Sequence, residues 1–145
     1  MIQYFETSII LSLILEDDFH EKASKIWNQK NDVVCSILTA IEATIVLRRF
    51  YKSNKSKLTS NWLSKNEKKL NEILSECSLV KIDDSILSIV ELKKEISDCR
   101  SLDAIHIATA IFLKDKFNDS KLQFYSFDNR VNEVAKKLGL KPHGV

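Results

Sequence analysis

The sequence predicts an α/β fold with a short, mostly parallel sheet, and three observations carry that expectation. Four β-type runs, Ile2-Gln3-Tyr4-Phe5, Val33-Val34-Cys35-Ser36, Leu79-Val80-Lys81-Ile82 and Leu122-Gln123-Phe124-Tyr125, are each followed by a stretch of helical periodicity. Strands alternating with helices require crossover connections, which make the paired strands parallel. Of the 145 residues, 44% are hydrophobic and 29% charged, enough apolar material for a real core under an ordinary charged surface. The glycines, Gly139 and Gly144, and the single proline, Pro142, all fall at the carboxyl-terminal end. A dinucleotide fingerprint, a phosphate-cradling P-loop and a glycine-flanked serine elbow each need glycine where backbone approaches a ligand or turns sharply, so all three are excluded.

Two short helices, Ser8 to Leu15 and Phe19 to Asn28, follow the first strand. The second strand leads into Ala40 to Tyr51, where apolar residues recur at three- and four-residue steps. Lys55 to Glu76 also reads as helical, with Leu58, Trp62, Leu63, Leu70, Ile73 and Leu74 as its apolar stripe. The same periodicity marks Ser85 to Ile96, Leu102 to Lys116 and Val131 to Leu138, and Gly139 caps the last of these. No repeat, low-complexity tract or linker interrupts the chain, so a single domain over residues 1–145 is expected. Phe50 and Tyr51 are expected to pack into the core rather than stack on bases, and Trp27 and Trp62 to be core or interface residues.

Three cysteines, Cys35, Cys77 and Cys99, are odd in number and lack paired CxxC spacing, which argues against a disulfide framework or a zinc ribbon and for a reducing compartment. The longest apolar stretch, Ile9 to Leu15 with Ser12 inside it, is too short to span a bilayer and lacks signal-peptide flanks. A cytoplasmic protein without membrane contact is expected. The net charge of +2 conceals an asymmetry. From Ala43 to Leu70, Arg48, Arg49, Lys52, Lys55, Lys57, Lys65, Lys68 and Lys69 stand against Glu67 alone, giving +7 there and −5 in the remainder. Such a run is either a solvated helix face or a phosphate-binding surface, and the second reading singles out Arg48, Arg49, Lys52 and Lys55.

In a parallel sheet the ligand crevice lies beyond the carboxyl ends of the strands, and acids collect at those positions. Glu6 follows the first strand and Asp128 follows the last. Glu42 and Asp103 sit in the first turns of the helices beginning near Thr39 and Ser101. Each has a local explanation except Glu6: Thr39 to Glu42 fits a capping box, Asp103 suits the helix dipole and Asp128 is a good N-cap. No cap is expected of Glu6, and burying it is costly. Four carboxylates in one cleft repel unless a cation neutralises them, and an all-oxygen cluster suits Mg²⁺ or Mn²⁺ better than zinc. His106, three residues after Asp103, reads as a hydrogen-bonded packing residue, since no second histidine lies one turn away.

Four segments together resemble the PIN-domain ribonucleases, in particular the VapC-type toxins of bacterial toxin–antitoxin pairs. They are Glu6-Thr7-Ser8 at the end of the first strand, Ser36 to Glu42, Leu102 to Ala110, and Ser126-Phe127-Asp128 with the Ala135 to Leu140 ending. The resemblance spans essentially the whole chain. It implies a three-layer α/β/α PIN-like domain, to which the charge run adds a basic helical arm over roughly Lys52 to Glu76. It further implies metal-dependent RNA cleavage by an acidic quartet of Glu6, Glu42, Asp103 and Asp128. Glu6, Asp103 and Asp128 would hold one or two Mg²⁺ or Mn²⁺ ions, with Ser8 or Ser126 as supporting polar groups. RNA, a cognate antitoxin and a second copy of the chain are the implied partners.

One position departs from the family pattern. Glu6 stands where aspartate is usual, and its additional carbon–carbon bond of about 1.5 Å shifts the carboxylate. The competing expectation is therefore a PIN-like module that binds RNA or an antitoxin without cleaving.

Overall fold

The computed structural model of the protein describes residues 1–144. Strands β1 (Ile2–Phe5), β2 (Asp32–Ser36), β3 (Ser78–Val80), β4 (Gln123–Ser126) and β5 (Lys141–Gly144) form one sheet. Their order is β3-β2-β1-β4-β5, and every neighbouring pair is parallel. The connecting helices are α1 (Thr7–Leu15), α2 (His20–Asn28), α3 (Ile37–Asn54), α4 (Trp62–Ser75), α5 (Asp84–Leu92), α6 (Ser101–Lys116) and α7 (Asn129–Lys137).

Because successive strand side chains point to opposite faces, the central strands supply two cores. Tyr4, Val34 and Phe124 join Ile86 of α5, Ile107 and Ile111 of α6 and Val131 of α7. Phe5, Val33 and Cys35 join Ile9 and Leu13 of α1, Leu47 of α3 and Leu70 of α4. The result is the expected α/β/α sandwich. No helix among the described residues is long and apolar enough to cross a membrane.

The strand order positions the site. From β1 the chain winds outward through β2 and β3, then crosses to the far side of β1 for β4 and β5. The reversal falls between β1 and β4, and beyond the carboxyl ends of such a pair the diverging connections leave a crevice. Glu6 lies directly after β1 and Asp128 two residues after β4.

Three local expectations are corrected. The basic arm is not a continuous helix: α3 runs to Asn54, a 3₁₀ turn occupies Lys55–Lys57, and α4 begins at Trp62. At the break, Asn54 Nδ2 donates to the Phe50 carbonyl at 2.9 Å, taking an acceptor that a continuing helix uses, and beyond it the Thr59 and Asn61 side chains bond each other at 2.8 Å. The arm is therefore a hairpin, joined by the Arg48–Glu67 pair at 3.3 Å. Phe50 and Tyr51 stack on Trp62, with centroids 5.2 and 6.2 Å away, on this hairpin and outside the main core; Phe50 remains exposed. The capping box at Thr39 is absent, because α3 starts three residues earlier and Ser36 Oγ caps it by accepting from the Leu38 amide at 3.0 Å.

β5 has no counterpart among the expected strands. It closes on β4 at Gly144, whose φ of +119° lies in the region L side chains avoid. A Cβ there would stand 2.3 Å from the Ser126 carbonyl oxygen. Gly139, at φ +87°, ends α7 as expected.

Candidate active site

Glu6 is both buried and a helix cap, the role not expected of it. Its Oε2 accepts from the Ser8 amide at 3.2 Å, the Ser8 hydroxyl at 2.6 Å and the Ser126 hydroxyl at 3.0 Å. Ser8 Oγ in turn accepts from the Phe127 amide at 3.0 Å, and Ser126 Oγ from the Asp128 amide at 3.0 Å. The two serines thus tie the ends of β1 and β4 together around one carboxylate oxygen. Among the described residues no hydrogen bond reaches the other oxygen, Oε1. Asp128 caps α7 as expected, accepting from the Arg130 and Val131 amides through Oδ1 at 2.9 and 3.3 Å.

Glu42 lies on α3 beside α1 and α6. The Thr7 hydroxyl donates to its Oε1 at 2.7 Å, and His106 Nε2 donates to the same oxygen at 2.7 Å. His106 is fully buried, and its Nδ1 lies 2.7 Å from the Tyr4 hydroxyl. Burial, reinforced by Cys35, Glu6 and Glu42, pushes the Tyr4 hydroxyl well above the usual range, so it keeps its proton and donates it to Nδ1. The other ring nitrogen, Nε2, faces Glu42. The Thr39 and Thr7 hydroxyls meet at 3.1 Å and complete the network. His106 is a hydrogen-bonded packing residue, as expected, and the group it packs against is a candidate catalytic acid.

Burial raises the Glu42 carboxyl, but the hydrogen bonds from His106 and Thr7 and the charge of Arg100 outweigh it and hold the group below its ordinary value. A carboxyl lowered in the folded state stabilises the fold above its unfolded pKa of about 4.3, and that contribution is lost as pH falls through the lower folded value. Urea midpoints are therefore expected to decline below about pH 4.3, with Glu42→Gln removing part of the decline. An unchanged acid limb in the variant would contradict this account of Glu42.

Asp103, in the first turn of α6, pairs with Arg100 Nε at 3.3 Å through Oδ2. Arg100 Nη2 also lies 3.9 Å from Asp128 Oδ2. A groove of about 670 Å³ runs from this edge past Ser8, Phe19, Phe127, Asp128 and Arg130. The four acids therefore surround one end of the sheet, joined through Thr7, the two serines and Arg100. They are not gathered around a point. Among the described residues no three His, Cys, Asp or Glu side chains converge closely enough to hold a metal ion. In chemistry the donor set still fits a hard divalent cation: all four side chains offer carboxylate oxygen, and part of their charge is already met by a cation, Arg100.

Arg48, Arg49, Lys52 and Lys55 are exposed. Arg48 is engaged by Glu67, and the other three have no ion pair among the described residues. Arg48 is six residues beyond Glu42 on α3, a rise of about 9 Å, so a single helix carries both the acid and the start of the basic surface. The sequence reading missed Tyr4, Thr7, Thr39 and Arg100. Arg100 had a signal, since a basic residue three places before Asp103 faces it on a helix; the others contact Glu42 and His106 only through tertiary folding.

The PIN domain family profile matches residues 4–137. No curated protein matches the sequence. Among solved structures, VapBC2 from Rickettsia felis, bound to a DNA fragment from its promoter, is 15% identical with a TM-score of 0.67, over 99% of this chain and 98% of that one. FitAcB from Neisseria gonorrhoeae is 16% identical with a TM-score of 0.71, over 98% and 96%. VapC20 from Mycobacterium tuberculosis, a toxin cleaving the sarcin–ricin loop, is 16% identical with a TM-score of 0.62, over 90% and 93%. At these identities the likeness is one of fold.

Proposed function

Because the chain belongs to the PIN domain family, we propose that it is a metal-dependent endoribonuclease, the toxin of a toxin–antitoxin pair, acting in the cytoplasm. The observation that carries this reading is the placement of four carboxylates around the switch point of a parallel sheet, with a basic hairpin growing from the same helix as one of them.

Glu6, Asp103 and Asp128 would hold Mg²⁺ or Mn²⁺, with Asp103 and Asp128 turning from Arg100 to do so. Such an ion supplies a Lewis acid for the phosphoryl oxygen and makes water a stronger nucleophile at neutral pH. Glu42, fixed through Oε1 by His106 and Thr7, presents Oε2 to accept the proton of the attacking water. A phosphorus–oxygen bond to water forms as the bond to the leaving strand breaks. Arg49, Lys52 and Lys55 hold the RNA backbone, which the acids alone would repel. The antitoxin and a second copy of the chain are the proposed protein partners, in line with the toxin–antitoxin complex from Klebsiella pneumoniae, whose fold this chain shares at 18% identity and a TM-score of 0.62 over 90% of this chain and 89% of that one.

A second reading, an RNA- or antitoxin-binding module without cleavage, is favoured by the three hydrogen bonds that occupy Glu6 Oε2 and by the spread of the acids, no three of which converge among the described residues. The deciding experiment is cleavage of total RNA with Mg²⁺ or Mn²⁺ by wild type, Asp103→Asn and Glu6→Asp. Cleavage by wild type and its loss in Asp103→Asn support the nuclease; equal cleavage by both ends it, and cleavage by Glu6→Asp alone supports the second reading. Neutralising Arg49, Lys52 and Lys55 together should lower the slope of RNA affinity against salt by about 2–3. An unchanged slope returns the hairpin to a solvated face.

A further inference from the structure

Arg100 occupies a position that its own helix disfavours. It is the N-cap of α6, yet its side chain makes no capping bond, and N-caps are ordinarily Ser, Thr, Asp or Asn. A cation there also opposes the positive end of the helix dipole. The side chain turns across the site to Asp103 at 3.3 Å and Asp128 at 3.9 Å, bridging two carboxylates at the starts of two different helices, α6 and α7. Its side chain is 81% exposed, against 15% for that of Asp103, so the guanidinium can leave the acids without unpacking anything.

We propose that Arg100 is a two-position catalytic residue: it neutralises Asp103 and Asp128 before the metal ion binds and, displaced by that ion, turns its guanidinium onto the scissile phosphate. The proposal rests on the metal-dependent reading above. A planar guanidinium suits both positions, since its fork of N–H donors matches carboxylate and phosphate oxygens alike. Donors aimed at the charge that develops on the phosphoryl oxygens contribute to phosphoryl transfer, and the acids around this site supply none.

The two positions give effects of opposite sign. In Arg100→Gln, Mn²⁺ titrated in the absence of RNA should bind about twofold to fivefold tighter, because a competing cation has gone. At saturating Mn²⁺ the same variant should cleave a pool of single-stranded RNA at least about tenfold more slowly, with Arg100→Lys recovering part of the rate. Mn²⁺ binding that weakens or stays level in Arg100→Gln overturns the proposal, and so does a rate at saturating Mn²⁺ that holds or rises. Asp103→Asn separates the two claims. If it binds Mn²⁺ like wild type, the metal-site reading fails and takes the Arg100 proposal with it. If it loses Mn²⁺ while Arg100→Gln gains nothing, only the Arg100 proposal fails.

Discussion

Replacing His106 by alanine is expected to destabilise the protein by about 3–5 kcal/mol, measured as a shift in urea unfolding. The imidazole is fully buried and bonds at both nitrogens, to Tyr4 at 2.7 Å and to Glu42 at 2.7 Å. Its removal leaves a cavity beneath α6, a Tyr4 hydroxyl with no acceptor and a carboxylate short of one donor. Tyr4→Phe makes the smaller change and should cost about 1–3 kcal/mol, leaving Nδ1 unpaired. The two losses should not add in the double variant, because both remove the same bond. A His106→Ala loss below about 1 kcal/mol would show that the network contributes little to the fold. The same variant frees Glu42 to rotate, so where it still folds its cleavage should fall as well.

The second large effect concerns activity. Glu6→Gln keeps the shape of the side chain and an oxygen that can accept from Ser8 and Ser126, so stability should change by less than about 1 kcal/mol. It removes the one buried charge of the quartet, and cleavage should fall by about 100-fold or more, a barrier increase of roughly 2.7 kcal/mol. Glu6→Asp keeps the charge and is the better helix cap, but withdraws the carboxylate by about 1.5 Å from Ser126. Cleavage by Glu6→Gln at the wild-type rate would remove Glu6 from the proposed metal site and leave it only as a cap.

The parts of this fold that were legible in the sequence are those whose residues state their own environment. Tyr4 and Phe5, or Val33 and Val34, are β-type side chains covered on both faces, and they read as strands without help. β5 does not, because Lys141-Pro142-His143-Gly144 has no apolar alternation; it is a strand only through its pairing with β4, on an edge where proline is tolerated. The break between α3 and α4 carries no glycine or proline, and its serines and asparagines interrupt an apolar stripe that continues on either side. The positions of the four acids followed from strand and helix ends, whereas their connections did not. Arg100 meets Asp128, and Glu42 meets His106, across distances in sequence over which no local pattern operates. Glu6 was misread in its local role, because glutamate is not among the residues that ordinarily cap helices.

The central place of β1 also has a consequence in time. Glu6 is bonded to Ser126, 120 residues later, and β1 gains its second neighbour only when β4 arrives. At translation rates of about 5–20 residues per second, that interval is roughly 6–24 s. During it the emerging chain acquires Glu42 and then Asp103, but it has neither the partner for the open edge of β1 nor Asp128. The proposed cleavage therefore waits on the last part of the chain to be made, and a chain released before β4 has up to three of the acids without the crevice they need.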